Sequence, residues 1–215
     1  MAEALKIPYP PEEPDMGHIL RAYDPLAVEK QMKQMTGEEL FTTGDIGRSE
    51  LIRGELIRMS PTGYLHGMVE SRFGAVLHNS VTQHHLGEVL VGEVGIYTSR
   101  NPDTVRGADV IYISNERLSQ VKSKSYLDVA PELIVEVLSP RDRWTDVNEK
   151  LSEYFGIGVR IIWIVDPRRR QVFVYESATR SECLTADKEL SEGEILPGFR
   201  VRVSELFGTH RLPEK

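Results

Sequence analysis

Five short runs rich in β-branched and aromatic residues lie between positions 88 and 176: 88–99 (EVLVGEVGIYTS), 108–114 (ADVIYIS), 132–139 (ELIVEVLS), 160–166 (RIIWIVD) and 171–176 (QVFVYE). Each has the length and composition of a strand. One segment among them changes period. At 146–155, Val147, Leu151, Tyr154 and Phe155 share a helical face, and Gly156 and Gly158 stop it. Upstream, Val69, Phe73, Val76, Leu77 and Val81 recur at helical spacing over 66–84. A helix, three strands, a second helix and a further strand make a mixed sheet with helices on its faces. The expected class is α/β in the broad sense (α+β): a mixed β-sheet core flanked by helices, with extra hairpins.

The remaining segments decorate that core. Thr36 and Glu39 have capping-box spacing, which predicts a short helix through Phe41. Residues 50–59 alternate around Arg53-Gly54 and read as two short strands on a tight turn. Residues 60–63 (SPTG) form a loop, and 167–170 (PRRR) a hairpin turn. Beyond 176 we expect edge strands and a short helix near 203–207. Pro8, Pro10, Pro11, Pro14 and Pro25 make 1–35 an extended arm with at most one short helix near 27–35. The folded domain is then 36–215.

A chain of 215 residues, 40% hydrophobic, can bury a core without staples. Its one cysteine, Cys183, excludes an internal disulfide and a cysteine-rich zinc site within one chain. It also fits a reducing compartment. The first residues lack an apolar signal segment. No apolar run approaches the roughly 20 residues of a membrane span. The expectation is a cytoplasmic protein with no membrane contact. A net charge of −7 argues against coating nucleic acid through phosphate neutralisation. It is compatible with acids gathered round a metal that supplies positive charge locally.

Two of the acids interrupt strands. Asp109 opens an apolar run, and Glu136 sits inside another between Val135 and Val137. Burying an unpaired carboxylate is costly. One explanation covers both: neighbouring strands bring Asp109 and Glu136 to a shared metal. Mg²⁺, with Mn²⁺ as the alternative, takes one or two carboxylates plus waters and phosphate oxygens. The Val137 carbonyl is the natural third ligand. Lys150, on the helix after Glu136 and beside Leu151, sits at the rim of the buried face. Its ammonium there can orient an attacking water and offset developing charge. Plainer readings exist for each position. Asp109 could pair with Arg106, Glu136 with Arg141, and Lys150 could be a solvated rim lysine. His84-His85 looks like a metal pair, but adjacent helical residues diverge by about 100°. Arg168, Arg169 and Arg170 could touch phosphates or form a solvated turn.

Several stretches resemble the Uma-type putative restriction endonuclease family of the PD-(D/E)XK nuclease superfamily. They are 50–67 (ELIRGELIRMSPTGYLHG), 103–114 (DTVRGADVIYIS), 131–143 (PELIVEVLSPRDR), 150–175 (KLSEYFGIGVRIIWIVDPRRRQVFVY) and 196–207 (LPGFRVRVSELF). The resemblance spans about residues 36–207 and implies a restriction-endonuclease-like fold with Mg²⁺-dependent hydrolysis of DNA. Asp109 matches the Asp of the first motif, after Ala108 where the superfamily often has Pro. Glu136 matches the Glu of the second. Leu138 occupies the usual lysine position, and the resemblance implies displacement of that lysine to Lys150. Glu50 matches an N-terminal acid that helps hold metal or position water, with Glu55 an inferior candidate. His66 matches a His-Gly of unassigned role. The polar arm, and the habit of small nucleases to pair on two strands, predict a homodimer. The rival reading is a non-catalytic interaction protein retaining the fold, which Leu138 and the acidic surface would favour.

Overall fold

The computed structural model describes residues 34–44 and 46–208. The expected arm and its helix near 27–35 fall outside those residues except at Gln34 and Met35. Met35 N–H donates to the Gly54 carbonyl at 3.0 Å. In chain order the elements are α1 Gly37–Thr42, β1 Ser49–Ile52, β2 Glu55–Arg58, α2 Tyr64–Gln83, β3 Gly87–Ser99, β4 Thr104–Ser114, α3 Asn115–Leu118 and β5 Leu133–Val137. There follow α4 Trp144–Gly156, β6 Ile161–Asp166, β7 Gln171–Ser177, β8 Arg180–Leu184, β9 Glu189–Ser191, β10 Arg200–Arg202 and α5 Val203–Phe207.

Local chemistry explains the element ends. Thr36 and Glu39 form both halves of the expected capping box on α1. The β1–β2 turn has Arg53 at φ 50 and Gly54 at φ 79, the paired positive φ of a hairpin turn that follows strand twist. α2 and α4 arise where the apolar spacing predicts them. β4 starts at Thr104, earlier than the expected 108. Its first turn of sequence (TVRG) carries a charge that masks burial, yet Thr104, Val105 and Arg106 are all buried. The short α3 was not expected. Ser114 caps it by accepting from the Arg117 amide.

The main sheet runs β2-β1-β4-β5-β6-β7-β8, with β3 also on β4. β5 and β6 are parallel and every other pair is antiparallel, so the sheet is mixed as expected. Parallel neighbours need a crossover, and α4 provides it. Alternation along β5 and β6 sorts side chains to two cores. Leu133, Val135, Val137, Trp163 and Val165 pack with Val69, Phe73 and Leu77 of α2 and with Leu206 and Phe207 of α5. Ile134, Ile162 and Ile164 pack with Val147, Leu151 and Tyr154 of α4. Glu136 shares the parity of Ile134, which turns it toward α4.

Candidate active site

The site is a fork in the sheet. Along one edge β4 pairs with β3 over most of its length. Along the other it meets β1 at Val105 and β5 only at Val110, Ile111 and Tyr112. Between those contacts, among the described residues, 106–109 are paired with no strand on that edge. Asp109 lies one residue before the last β4–β5 pair, Val110↔Val135, and Glu136 one residue after it. The two acids therefore take opposite positions on the two strands where the ladder opens.

Side chains fill the fork in place of a strand. Glu50 on β1 is buried, and its Oε1 accepts the Gly107 amide at 3.2 Å. Lys150 Nζ reaches Glu50 Oε1 at 2.9 Å, Glu136 Oε2 at 3.4 Å and the Gly107 carbonyl at 3.4 Å. Tyr154 donates its hydroxyl to Glu136 Oε1 at 2.8 Å. Arg106 donates to Glu50 Oε2 at 3.1 Å and holds Glu153 with two bonds of 2.7 Å. Asp109 Oδ2 accepts the Val137 amide at 2.7 Å. It also lies 3.2 Å from His66 Nε2. N–H and C=O of one strand residue leave on the same edge, so the Val137 carbonyl is directed to the fork as well.

The electrostatics follow from this crowding. Burial pushes the Glu136 carboxyl up to about 8, with the Asp109 charge adding to the shift and Lys150 opposing it. Burial would also raise Glu50, but Lys150 and Arg106 hold it below its ordinary value. Asp109 is likewise buried, yet the His66 and Val137 donors keep it low. Burial and the Asp109 charge push Glu93 up to about 7. Carboxyls that stay protonated near neutrality beside an ionised Asp109 are acids that a cation would ionise. Hard oxygen donors, with negative charge in excess of the local cations, suit Mg²⁺. The residues present fit such an ion. Glu50, Asp109, Glu136 and Lys150 line a cleft of about 780 Å³, together with residues 59–63 and 138–142.

Each residue singled out in the sequence has a definite place. Asp109, Glu136, Val137, Lys150 and Glu50 converge on the fork. Lys150 is no freely solvated rim lysine, since it touches two carboxylates and a carbonyl. Arg106 takes Glu50 and Glu153 instead of Asp109, and the Glu136 partners are Lys150 and Tyr154 instead of Arg141. Glu55 is exposed on β2. Leu138 lines the cleft and offers no charge. His84 caps the end of α2 and His85 follows at φ 53, away from the fork. Arg169 bonds Asp166, and Arg170 bonds the Ser204 and Gly208 carbonyls, so two of the three turn arginines are tied to the protein.

Several neighbours of the site were not foreseen. Glu93 projects from a bulge between Val91 and Val94, with Gly92 at φ 89 and Glu93 at φ 60, and pairs with Arg48. Gly92-Glu93 breaks the alternation of an apolar run, and that break was the available signal. Among the described residues, His66, Glu70 and Asp109 offer ligand atoms all within 4.8 Å of one another. Glu136 is outside that set.

The sequence profile of the Uma2 family, described as putative restriction endonuclease, matches residues 31–204. A similar solved structure is that of a putative nuclease belonging to DUF820 from Anabaena variabilis ATCC 29413. It is 20% identical, with a TM-score of 0.68 over 80% of this chain and 97% of that one. At that identity the likeness speaks to the fold alone. No curated protein matches.

Proposed function

The chain belongs to the Uma2 family of putative restriction endonucleases, and from that premise we propose that it is a Mg²⁺-dependent endonuclease hydrolysing phosphodiester bonds of DNA at the β4–β5 fork. The observation that carries this reading is the meeting of Lys150 with Glu50 and Glu136 one strand from Asp109. It restores, from a helix, the ammonium that Leu138 does not supply from the strand.

Each group has a distinct part in this reading. Asp109, Glu136 and the Val137 carbonyl would hold Mg²⁺, or Mn²⁺ in its place. When bound, the ion lowers the pKa of water and stabilises charge on the phosphate. Glu50 and Glu136 keep the Lys150 ammonium charged and pointed into the cleft, beside the position of an attacking water. From there Lys150 orients that water and offsets charge as it develops. Tyr154 fixes the Glu136 oxygen that Lys150 does not touch. Arg106 locks Glu50 against β4, so the acid cannot swing away. Arg141 lines the cleft and offers a guanidinium group to the DNA backbone. We further propose a homodimer, with one site for each strand of a duplex.

The test is cleavage of single-stranded, duplex and branched DNA with Mg²⁺, by wild type and by Glu136→Gln. Metal-dependent nicking lost in the variant is expected. Metal binding without cleavage of any form would instead favour a non-catalytic interaction protein retaining the fold. Light scattering at micromolar concentration should give twice the chain mass, and a monomeric mass rejects the dimer.

A further inference from the structure

A second set of ligating atoms lies on the α2 side of Asp109, and the reaction proposed above does not use it. His66 is only 5% exposed. Its Nε2 faces Asp109 Oδ2 at 3.2 Å. An ionised Asp109 accepts there, and in the neutral ring this fixes the proton on Nε2 and leaves the lone pair on Nδ1. Against burial, the Asp109 and Glu70 charges raise the ring above its ordinary pKa, so a cation at Nδ1 displaces a proton. Nδ1 is buried with no hydrogen-bond partner among the described residues. Opposite it stands Glu70 Oε2 at 3.7 Å, too far for a hydrogen bond. Two donors bound to one ion at about 2.1 Å, meeting near the tetrahedral angle, are roughly 3.4 Å apart. The gap therefore has the span of a cation. Glu70 Oε1 accepts the Gly92 amide at 3.1 Å, which aims Oε2 back at the ring.

The surroundings favour a positive guest. Asp109, Glu70 and Glu93 bring three carboxyls to this corner against the one guanidinium of Arg48. A metal-bound histidine that donates its other N–H to a carboxylate is a recurrent arrangement, since the carboxylate sets the tautomer and the ring angle.

We propose that His66 Nδ1 and Glu70 Oε2 form a second divalent-cation site beside Asp109, suited to Mn²⁺, Co²⁺ or Zn²⁺ in preference to Mg²⁺. The imidazole nitrogen sets that preference, because Mg²⁺ favours oxygen donors alone. Water or a phosphate oxygen completes the shell on the open side. The site uses neither Glu136 nor Lys150, so it stands apart from the reading of the fork.

Diamagnetic Zn²⁺ alone is the probe, added to the full-length metal-free protein. Calorimetry gives the stoichiometry, and NMR follows the His66 ring nitrogens, of which Nδ1 responds to direct coordination. Wild type should take two ions and shift the His66 signals strongly. Glu70→Gln keeps an acceptor for the Gly92 amide and should lose one ion together with the His66 shift. His66→Gln keeps an N–H for Asp109 and should lose the same ion, which guards against a folding defect in either variant. Glu136→Gln should lose the other ion and keep the shift. If Glu136→Gln changes nothing while Glu70→Gln loses an ion, the second site stands and the nuclease reading falls. Unmoved His66 signals, or full binding by Glu70→Gln, overturn the site. So does loss of both ions in either variant, since that describes one site centred on Asp109. Binding at exposed His78, His84 or His85 would survive all three substitutions.

Discussion

The Asp109 carboxylate accepts the Val137 amide at 2.7 Å, and so replaces the ladder acceptor that the parting of β4 and β5 removes. One residue thus closes the end of a sheet and presents charge to the cleft. The two duties can be separated. Asp109→Ala leaves the buried Val137 N–H without its acceptor and should lose about 1–3 kcal/mol of stability. Asp109→Asn keeps an acceptor oxygen and should lose much less, while Mg²⁺ binding at the fork disappears in both. Urea denaturation and calorimetry on the two variants check this. Equal stability losses would show that the carbonyl oxygen alone does not satisfy Val137.

Arg106 and Glu50 are both about 5% exposed and joined at 3.1 Å. Arg106→Met leaves Glu50 with Lys150 as its remaining cation and strips Glu153 of its partner, so the loss should fall below the about 3–5 kcal/mol of a fully orphaned buried charge. Glu50→Gln should then cost less in the Arg106→Met background than in wild type, because the Arg106–Glu50 pair is already gone. A double-mutant cycle in denaturant is the measurement, and strictly additive losses would deny the coupling.

Glu136 sets a pH dependence. Its carboxyl stands at about 8 in the metal-free fold against an ordinary 4.5, raised by burial and by the Asp109 charge. The folded state then holds more protons than the unfolded one between those values. Its contribution to stability is whole below 4.5 and is lost as pH rises through about 8. A cation binding Glu136 must displace the proton. Mg²⁺ affinity should rise about tenfold per pH unit from about pH 6 and level off above about pH 8. Calorimetry in two buffers of different ionisation enthalpy should find close to one proton released at the acid end. An affinity flat across that range would remove Glu136 from the metal site.

Much of this was readable from the sequence because burial and period were. Val69, Phe73, Leu77 and Val81 can share a face only in a helix, and Ile162, Trp163, Ile164 and Val165 want a strand buried on both sides. Asp109 and Glu136 stood out because a carboxylate in such a run needs a reason. What stayed hidden depends on contacts far apart in the chain. Nothing near Glu93 announces Arg48 or Asp109, and Tyr154 reads as core until its hydroxyl meets Glu136. Proximity in sequence offers Arg106 to Asp109 as an alternative partner, whereas the fork turns it to Glu50 and Glu153. Charge in the opening residues of β4 hid a buried strand for the same reason.

Lys150 and Glu136 touch at 3.4 Å, yet their removal should have different consequences. In the proposed reading Lys150→Ala takes away the ammonium beside the attacking water, so cleavage should fall at least a hundredfold, in the range of lost acid–base help. Metal binding should survive, since an ammonium is not a ligand and its charge repels a cation. Two opposing effects act on the affinity near neutrality. Loss of that repulsion strengthens binding, but loss of Lys150 also lets the Glu136 carboxyl rise further and compete for its proton. The comparison therefore belongs at about pH 9, where proton competition is smallest. There Lys150→Ala should bind Mg²⁺ at least as tightly as wild type and still fail to cut. Glu136→Ala should lose both binding and cleavage. Salt must be fixed throughout, because phosphate contacts weaken as it rises. Lys150→Ala also leaves Glu50 with Arg106 as its remaining cation, so circular dichroism should accompany the assay. A folded Lys150→Ala that cuts as fast as wild type would end the assignment. Lys122 and Lys124 would not then take its place, because they border a separate hollow with Glu38 and Phe41.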